Sequence, residues 1–399
     1  MIGIFNDNFP PVLDGVGITA QNYAHWLQEA GHDVSVITPY APNMQEVMAS
    51  ASYPIHRYIS IPIPFRPPYR YGLPDIDVSF RRKWSKMRFD LVHAHCPFTT
   101  GRLARQVAKR QHIPFVATFH SKYRQDFEHN VRSKLIVDLM VKHVIRFFEQ
   151  ADEVWIPLPA VEETLREYGY KGHVEVVENG NDFYASKTQI ASMREAMREE
   201  LGMMPNEMML LFVGQHIWEK NIRFILESLA LLKDQPFHFF MVGTGYAVHD
   251  IRMLIGQLGL SHRVTLLGNI YDRERLKRIY AAADLFLFPS LYDTCGLVVR
   301  EAAAMHTPSI LLRESTAATA ITDGINGFLT HNDPVDFIQQ ITYLMNCPEE
   351  IARVGEKAAK TISRSWESVI EEVALRYRDL QESFRLKQGK YNRLIFQEE

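Results

Sequence analysis

The chain has 399 residues, of which 46% are hydrophobic and 23% are charged, a composition typical of a globular protein with a large core. These values exclude a disordered chain, a collagen-like repeat and a miniature fold held together by disulfides. The net charge of −3 excludes a globally basic nucleic-acid-binding protein. A chain of this length is expected to form two or three domains.

The cysteines and the N-terminus indicate the compartment. Three cysteines lie far apart and form no C-x-x-C pair, which is typical of a reducing compartment and of neither a disulfide framework nor a zinc knuckle. The N-terminus has no basic start, so we expect no signal peptide. No stretch reaches the roughly 18–20 apolar residues that cross a bilayer. We therefore expect a cytoplasmic protein that does not span a membrane.

The average charge conceals a strongly basic segment. Residues 81–148 contain fifteen Lys and Arg against four acidic residues, a net charge of +11, so the remainder of the chain carries −14. Mild clustering on a solvated face does not produce an excess of this size. We expect the N-terminal half to contact a negatively charged partner.

The N-terminal half alternates strands and helices. Short apolar runs predict strands at 1–6, 33–39, 90–95 and 114–120. Helical spacing of apolar residues predicts helices over 18–30, with Gly31 as the C-cap, and over 99–111. This alternation predicts a parallel sheet with helices on both faces.

The C-terminal half repeats the pattern after an irregular stretch. Buried strands are predicted at 209–215, 237–245, 263–269, 284–290 and 308–313, and the clearest helices at 222–233 and 273–283. The fold class is therefore α/β, with two Rossmann-like domains. The predicted domains are 1–185, completed by a C-terminal helix at about 375–399, and 186–374. Ligands should bind at the carboxyl ends of the strands, in a cleft between the two halves.

Two clusters of candidate residues follow strands of the second half. Asp293 and Glu301 flank a helix predicted to start near Gly296, so both carboxylates can face one pocket beside free helical N–H groups. An N-cap Asp and an exposed Glu would give the same pattern. Lys220 follows Gly214 and a tight turn, where it suits phosphate oxygens, although a solvated Lys in a first helical turn fits equally well.

Weaker signals accompany these clusters. The loop at 14–17 and the Gly-Thr-Gly at 243–245 each leave the dinucleotide fingerprint incomplete. His93, His95 and His120 end two successive strands, but no acidic or Cys ligands accompany them, so metal binding is disfavoured. The Asp-Ile-Asp at 75–77 lies in a Pro- and Tyr-rich connection, where it favours a turn over a metal clamp.

Eight motifs occur in a fixed order over nearly the whole chain: PPVLDGVG, DLVHAHCPFTTG, PFVATFHSKY, VENGND, VGQHIWEKN, MVGTG, LFPSLYDTCGLVVREAAA and TDGINGFL. Together they resemble the retaining nucleotide-sugar glycosyltransferases of family 4, which have the two-domain GT-B fold. HCPFTTG and TFHSKYRQDF are similar to the members that glycosylate diacylglycerol. The resemblance implies two Rossmann-like domains that face each other across a cleft.

The resemblance implies roles for individual residues. Glu301 matches the acidic residue that binds the nucleotide ribose, and Asp293 matches the one that holds hydroxyls of the donor sugar. Lys220 matches the cation on the diphosphate, and His120 the histidine near the reacting sugar, so the expected catalytic residues are His120, Lys220 and Asp293. The expected donor-binding residues are Gly15, Val16, Gly17, Gly214, Gln215, Lys220, Gly243, Asn269, Ile270, Asp293, Cys295, Gly296, Leu297, Val298 and Glu301.

Two positions depart from the family pattern. The family usually has Glu where this chain has Asp293, and Arg where this chain has Gln215. The first bears on which sugar is bound, and the second removes one positive charge from the diphosphate site. The resemblance implies metal-independent, retaining transfer of a hexose with UDP-glucose as the donor, without a cofactor. Lys220 and helix N-termini would stabilise the leaving diphosphate, whose oxygen takes the acceptor's proton.

The expected acceptor is a membrane lipid such as diacylglycerol, with the protein bound peripherally to the inner face of the cell membrane. In RRKWSKMRF, apolar residues alternate with five basic ones, a pattern typical of membrane interfaces. The helix over 131–148 has one polar stripe, which also fits a core helix with one solvated edge. The expected membrane or acceptor residues are Arg81, Arg82, Lys83, Trp84, Lys86, Arg88, Lys122 and Tyr123.

Other functions remain open at the level of the sequence. A family 4 transferase could use a polysaccharide or a small soluble acceptor, and a degenerate sugar-nucleotide-binding subunit would tolerate Gln215. An NAD-dependent oxidoreductase is disfavoured because neither glycine loop completes the dinucleotide fingerprint. No nucleic-acid partner is expected.

Overall fold

The computed structural model describes residues 1–12, 14–64, 68–232, 235–291, 293 and 296–395. Cys295, one of the predicted donor-binding residues, therefore lies outside the described residues. The chain forms two compact units. Unit 1 consists of residues 1–179 and 366–399, and unit 2 of residues 180–365.

Unit 1 is built on short strands of branched and aromatic residues. Its strands are β1 (Ile2–Phe5), β2 (Val34–Pro39), β3 (Ile55–Tyr58), β4 (Ser60–Pro62), β5 (Arg70–Gly72), β6 (Leu91–Ala94), β7 (Phe115–Thr118), β8 (Glu153–Ile156) and β9 (Glu175–Val176). Its first helices are α1 (Gly15–Glu29), α2 (Met44–Ser50), α3 (Val78–Trp84), α4 (Thr99–Gln111), α5 (Tyr123–Asn130), α6 (Lys134–Phe148) and α7 (Val161–Glu167).

Unit 2 repeats the alternation with longer strands. Its strands are β10 (Met208–Val213), β11 (Phe237–Val242), β12 (Val264–Gly268), β13 (Leu285–Phe288), β14 (Ser309–Leu312) and β15 (Phe328–Thr330). Its helices are α8 (Lys187–Glu200), α9 (Ile222–Leu229), α10 (Val248–Gln257), α11 (Arg273–Ala282), α12 (Leu297–Ala304), α13 (Pro334–Met345) and α14 (Pro348–Thr361). The chain then returns to unit 1 through α15 (Trp366–Ile395).

Both main sheets are parallel, as the alternation predicts. Within the described ranges, unit 1 has a sheet of seven strands in the order β3-β2-β1-β6-β7-β8-β9, and unit 2 one of six in the order β12-β11-β10-β13-β14-β15. The order reverses between β1 and β6 in unit 1 and between β10 and β13 in unit 2. These reversals are the places where parallel α/β sheets bind ligands.

Two separate apolar clusters cover the faces of the sheet in unit 1. One contains side chains from α3, α4 and α6, so these three helices form a layer on one face. The other contains side chains from α1 and α15 on the opposite face. The basic segment 81–148 therefore folds largely into one helical layer, together with strands β6 and β7.

The structure places some boundaries elsewhere than the sequence predicts. Unit 2 begins at residue 180, before the predicted 186, and α15 begins at Trp366, before the predicted 375. The early start follows from Trp366, Val369 and Ile370, which are buried at helical spacing in unit 1. Asp77 caps α3 by accepting the Phe80 N–H at 2.9 Å, so the Asp-Ile-Asp segment forms a turn and a cap.

Candidate active site

The candidate site of unit 2 lies where the strand order of its sheet reverses. β10 and β13 are neighbours in the sheet, although β11 and β12 separate them along the chain. Lys220 lies in the connection that follows β10, and Asp293 in the connection that follows β13. The topology therefore brings two of the predicted catalytic residues together at the carboxyl edge of the sheet.

Lys220 and Asp293 form an ion pair that is largely shielded from solvent. The Lys220 Nζ contacts Asp293 Oδ1, and the two side chains are 12% and 18% exposed. The Lys220 Nζ also lies 5.8 Å from the centre of the Phe288 ring. The second carboxylate oxygen, Asp293 Oδ2, is buried and accepts no hydrogen bond from the described residues. A buried acceptor without a donor is costly, so this oxygen is suited to a hydroxyl group supplied by a ligand.

Glycines allow the ends of β10 and β11 to approach closely. A Cβ atom at Gly243 would lie 2.0 Å from the carbonyl oxygen of Gly214, and one at Gly245 would lie 2.4 Å from that of His216. Gly243 also has a φ of +125°, which residues with a side chain rarely adopt. Backbone packing therefore requires glycine at the predicted donor-binding residue Gly243, whatever ligand it contacts, whereas a Cβ atom at Gly214 would meet only the Phe212 ring, at 3.3 Å.

Glu301 lies in the second turn of α12, as the sequence predicts. The helix starts after Gly296, whose φ of +58° favours glycine. Glu301 is 7% exposed. Its Oε2 accepts a hydrogen bond from the Tyr280 hydroxyl at 2.9 Å, and its Oε1 accepts one from Arg273 Nη2 at 2.8 Å. Neither donor is predicted from the sequence, because both lie on α11 and reach Glu301 only in the folded chain.

The remaining described donor-binding candidates of unit 2 lie along the same edge of the sheet. Gln215 follows β10 and is half-buried, and Asn269 and Ile270 follow β12. Leu297 and Val298 form the first turn of α12 and are half-buried. The carboxyl ends of neighbouring parallel strands meet at one edge, which explains why residues from three connections are gathered there.

His216 is a buried residue of the same connection that the sequence analysis missed. Its side chain is fully buried, and neither ring nitrogen has a hydrogen-bond partner among the described residues. Burial lowers the pKa of His216 to about 4, so the imidazole is neutral at neutral pH. The residue stands inside the VGQHIWEKN motif, but a single His in an apolar stretch carries no ligand pattern.

In unit 1, buried histidines occupy the corresponding reversal between β1 and β6. His93 lies in β6, His95 follows it, and His120 follows β7. His95 Nδ1 and His120 Nε2 are 2.9 Å apart, and the two rings stack with centroids 5.2 Å apart. Burial lowers the pKa of His120 to about 3 and those of His93 and His95 well below the ordinary value. All three imidazoles are therefore neutral at neutral pH.

Asp7, which follows β1, is a second residue that the sequence analysis missed. Its Oδ1 accepts a hydrogen bond from the Thr100 N–H at 3.0 Å, at the start of α4. Its Oδ2 is buried and has no donor among the described residues. Burial raises the pKa of Asp7 to about 6. No ligand-binding spacing marks this residue in the sequence, since its partner lies far along the chain.

The glycine loop predicted at 14–17 is instead the start of α1. Gly15 is the first residue of the helix, and the Asp14 carboxylate caps it by accepting the Gly17 N–H. Asn8 Nδ2 donates to the same carboxylate at 2.8 Å. The prediction of a loop was wrong because an Asp followed by small residues also forms an N-terminal cap. Gly15, Val16 and Gly17 thus lie in the first helical turn.

Comparison with known proteins identifies the family. The Glycosyltransferase Family 4 model matches residues 13–183, and the model described as Glycosyl transferases group 1 matches residues 193–361. The chain belongs to glycosyltransferase family 4. Each matched range falls almost entirely within one structural unit, so both halves of this glycosyltransferase are accounted for.

Relatives and solved structures cover nearly the whole chain. The chain is 27% identical over 374 residues to an alpha-monoglucosyldiacylglycerol synthase of Acholeplasma laidlawii, and the match covers 90% of this chain and 91% of the relative. A protein of the same name from Streptococcus pneumoniae is 25% identical over 338 residues, covering 83% and 75%. Anabaena HepE in complex with UDP and glucose has a TM-score of 0.76 at 18% identity, covering 94% and 98%. Sucrose-phosphate synthase of Thermosynechococcus elongatus has a TM-score of 0.77 at 21% identity, covering 96% and 99%. The predicted GT-B fold is confirmed.

The structure corrects one expectation about the membrane-facing residues of this family 4 enzyme. Trp84 is 9% exposed and stacks on Phe80 with ring centroids 5.6 Å apart, so the prediction that it lies at a membrane surface was wrong. The ring faces the core because α3 packs this side against the sheet. Tyr123 is also buried and Lys122 half-buried. The basic residues of the segment are exposed: Arg81, Arg82, Lys83, Lys86 and Arg88.

The described residues contain neither a membrane-spanning helix nor a cluster of metal ligands. Among the described helices of the enzyme, none combines the length and the apolar character that crossing a bilayer requires. In the same part of the chain, no three His, Cys, Asp or Glu side chains are grouped to hold a metal ion. His95 and His120 bond to each other through one ring nitrogen each.

Proposed function

We propose that this glycosyltransferase transfers glucose from UDP-glucose to a membrane lipid such as diacylglycerol, with retention of the anomeric configuration. The observation that carries the proposal is the similarity to two alpha-monoglucosyldiacylglycerol synthases, which extends over 90% and 83% of the chain and therefore over both units. The Anabaena protein of the same fold was solved with UDP and glucose, which fits a UDP-linked donor.

The contacts in unit 2 support a donor site that needs no metal ion and no cofactor. In the proposed complex, Lys220 neutralises charge on the leaving diphosphate. Asp293 Oδ2, which has no hydrogen-bond donor among the described residues, accepts a hydroxyl of the sugar. Glu301 accepts hydroxyls of the ribose. The exposed fractions of Lys220 and Asp293 are low, so their electrostatic effect on the reaction is weakly screened by water.

The reaction proceeds on one face of the sugar in this proposal. The acceptor hydroxyl approaches the anomeric carbon from the side on which the diphosphate departs. The bond between the anomeric carbon and the diphosphate oxygen breaks, and the new glycosidic bond to the acceptor oxygen forms. The hydroxyl proton passes to a phosphate oxygen of the departing UDP, so no protein base is required. His120 lies among neutral, buried imidazoles and would act as a hydrogen-bonding contact to the sugar.

The acceptor side of the proposal rests on the helical layer of α3, α4 and α6. All three helices bury one face in the same apolar cluster, so their opposite faces lie on one side of unit 1. Arg81, Arg82 and Arg110 line a shallow pocket on this layer, and the described residues place no carboxylate within 4 Å of Arg82 or Arg110. Unpaired cations of this kind attract anionic headgroups with about 1 kcal/mol per residue.

Apolar side chains are exposed on the same layer. Leu135, Ile136 and Leu139 at the start of α6 are 77%, 51% and 65% exposed. Exposed basic residues precede and follow them, and the acidic Asp138 between them is paired with Arg124 at 2.8 Å. Exposed leucines beside cations are typical of a segment that lies in a membrane interface. We place the enzyme peripherally on the anionic, cytoplasmic face of the membrane on this ground.

The test is a transfer assay with the purified full-length chain. Mixed vesicles containing diacylglycerol and an anionic phospholipid are incubated with UDP-glucose in excess chelator, and the product is identified by mass spectrometry and its anomeric configuration by NMR. We expect an α-linked glucosyl lipid, and none with the Glu301→Ala variant. Transfer only to soluble saccharides, or strict dependence on magnesium or manganese, would overturn the proposed acceptor or the metal-free scheme. UDP binding without any transfer would identify a degenerate subunit.

A further inference from the structure

The carboxylate of Glu301 is held at both oxygens. Tyr280 donates to Oε2 at 2.9 Å, and Arg273 donates to Oε1 at 2.8 Å. Each carboxylate oxygen has two lone-pair positions, and the hydrogen bonds of the described residues occupy one position on each oxygen. The two protein donors therefore fix the plane and the direction in which Glu301 can accept hydrogen bonds.

Arg273 is itself fixed from a second side. Its Nε donates to Asp182 Oδ2 at 3.1 Å, and its Nη2 contacts the other oxygen of the same carboxylate. Its guanidinium lies 4.4 Å from the centre of the Phe183 ring. Arg273 is thus a bridge between the first residues of unit 2 and Glu301, held by a two-pronged contact that a flexible ammonium cannot reproduce.

Both donors keep their protons over the whole physiological range. Burial alone would lower the pKa of Arg273, but the adjacent carboxylates of Glu301 and Asp182 raise it well above its ordinary value. Burial, together with the Glu301 charge, raises the pKa of Tyr280 well above its ordinary value. Neither donor therefore loses the proton that it donates to the Glu301 carboxylate in this range.

We propose that Arg273 and Tyr280 are positioning residues that fix the Glu301 carboxylate for the ribose hydroxyls of the donor nucleotide. This inference rests on the proposed function, because it takes Glu301 as the ribose-binding residue. A carboxylate held in one orientation loses less side-chain freedom when the ribose binds, so more of the hydrogen-bond energy appears as affinity. Arg273 acts only through Glu301 and does not contact the substrate.

Calorimetric titration with UDP, using the full-length enzyme, measures this coupling. We expect Arg273→Ala to weaken UDP binding about tenfold, the scale of misplacing one charge-assisted hydrogen bond. In the Glu301→Ala background the same substitution should change UDP affinity by less than about threefold, because the group that it positions is already absent. The KM for UDP-glucose should rise with little change in kcat, and UMP should lose the same factor as UDP.

The matched control is Arg275→Ala on the same helix, which removes an exposed ion pair with Glu200 at 3.0 Å. It should leave UDP affinity unchanged. Arg273→Lys and Tyr280→Phe keep more of the packing and serve if Arg273→Ala unfolds, which a thermal melt reports. Each should show a smaller loss that also vanishes in the Glu301→Ala background.

Two results would overturn the inference while leaving the proposed function standing. One is wild-type UDP affinity in all three variants of Arg273 and Tyr280. The other is an equal loss of affinity with and without Glu301, which would show that Arg273 acts on the nucleotide or on the fold by another route. If Glu301→Ala itself binds UDP normally, the assignment of the donor site fails, and the inference fails with it.

Discussion

At the scale of single residues, Lys220 and Asp293 neutralise each other's charge. Their ion pair is shielded from solvent, so neither charge is left without a partner inside the protein. In the proposed complex a bound diphosphate would compete with Asp293 for the Lys220 ammonium, whereas Asp293 Oδ2, which has no donor among the described residues, would accept a sugar hydroxyl. Substitution of Lys220 is therefore expected to change the turnover rate, and substitution of Asp293 to change the preference among donor sugars.

We predict that Lys220→Ala lowers turnover by roughly 10²–10³, the scale of losing one electrostatic stabiliser of the transition state. Steady-state kinetics with UDP-glucose measure the effect, and a thermal melt reports any loss of stability from the unpaired Asp293. Arg223→Ala is the matched control, since Arg223 is an exposed cation of α9 that pairs with Glu227. Normal turnover together with normal UDP affinity in the Lys220 variant would show that this residue is not part of the donor site.

We predict that Asp293→Glu changes the relative use of epimeric donors more than it changes UDP affinity. The longer side chain moves the open carboxylate oxygen by about one methylene, which displaces one hydrogen bond to the sugar and should change the kcat/KM ratio of UDP-glucose to UDP-galactose about tenfold. Asp333→Glu, at a helix cap elsewhere in unit 2, is the control. If the substitution changed kcat/KM by the same factor for every donor, Asp293 would have only a structural role.

At the scale of elements, α3 and α6 use their apolar residues in opposite ways. In α3, Phe80 and Trp84 point into the core, and the exposed surface is basic. In α6, residues such as Val144 and Phe148 are buried, while Leu135, Ile136 and Leu139 in its first turns remain exposed. In the proposed membrane contact, α3 therefore supplies cationic side chains and the first turns of α6 supply apolar ones.

We predict that replacing Leu135, Ile136 and Leu139 together by Ser weakens binding to anionic vesicles at least tenfold, because burial of each such side chain contributes about 1.5–3 kcal/mol. Vesicle sedimentation measures the bound fraction. A matched triple replacement by Ser of exposed apolar residues in unit 2, at Met253, Val335 and Tyr343, should leave binding unchanged.

The same sedimentation assay tests the electrostatic part of the docking surface. Binding of the unaltered chain should rise with the content of anionic lipid and fall with added salt, because exposed charges are screened. Equal recovery in the supernatant with neutral and with anionic vesicles at low salt would refute membrane docking and favour a soluble acceptor.

At the scale of the whole molecule, the chain leaves unit 1 once and returns to it at the end. Trp366, Val369, Ile370, Val373 and Tyr377 of α15 are each at most 2% exposed within the cluster that α1 also joins. Tyr377 additionally hydrogen-bonds to His93 in β6 at 2.6 Å. Unit 1 is therefore incomplete without the last segment of the sequence.

We predict that residues 1–179 alone do not fold, whereas residues 180–365 alone fold and bind UDP. Removing the five buried side chains of α15 forfeits about 10 kcal/mol, which is comparable with the whole stability of a domain. Circular dichroism and thermal melts of the separate fragments measure the outcome. As the control, residues 1–179 and 366–399 joined by a short Gly-Ser linker should fold, because Asn181 and Ser365 form a β-bridge that brings the two chain ends together. A cooperative melt of fragment 1–179 would contradict the prediction.

The sequence by itself determined the local elements and the order in which they occur. The limits of α4, the start of α12 after Gly296 and nine strands follow from periodic apolar residues and from capping or turn residues, which act over a few neighbours. These strands are β1, β2, β6, β7 and β10 to β14; the other strands were not predicted. The eight ordered motifs likewise matched Lys220, Asp293 and Glu301 to residues of the family. Lys220 and Asp293 each lie in a connection that follows a strand, and the ends of such strands form the ligand-binding edge of a parallel sheet.

Only the tertiary structure decided which of these elements meet. Four features depend on contacts between residues far apart along the chain. β10 lies beside β13, Trp84 faces the core, α15 completes unit 1, and Glu301 accepts hydrogen bonds from Tyr280 and Arg273. Periodicity shows that a side of a helix is apolar but not which surface covers it, and a carboxylate in a motif shows nothing of its donors. Those partners are selected by packing, which the chain establishes only when it folds.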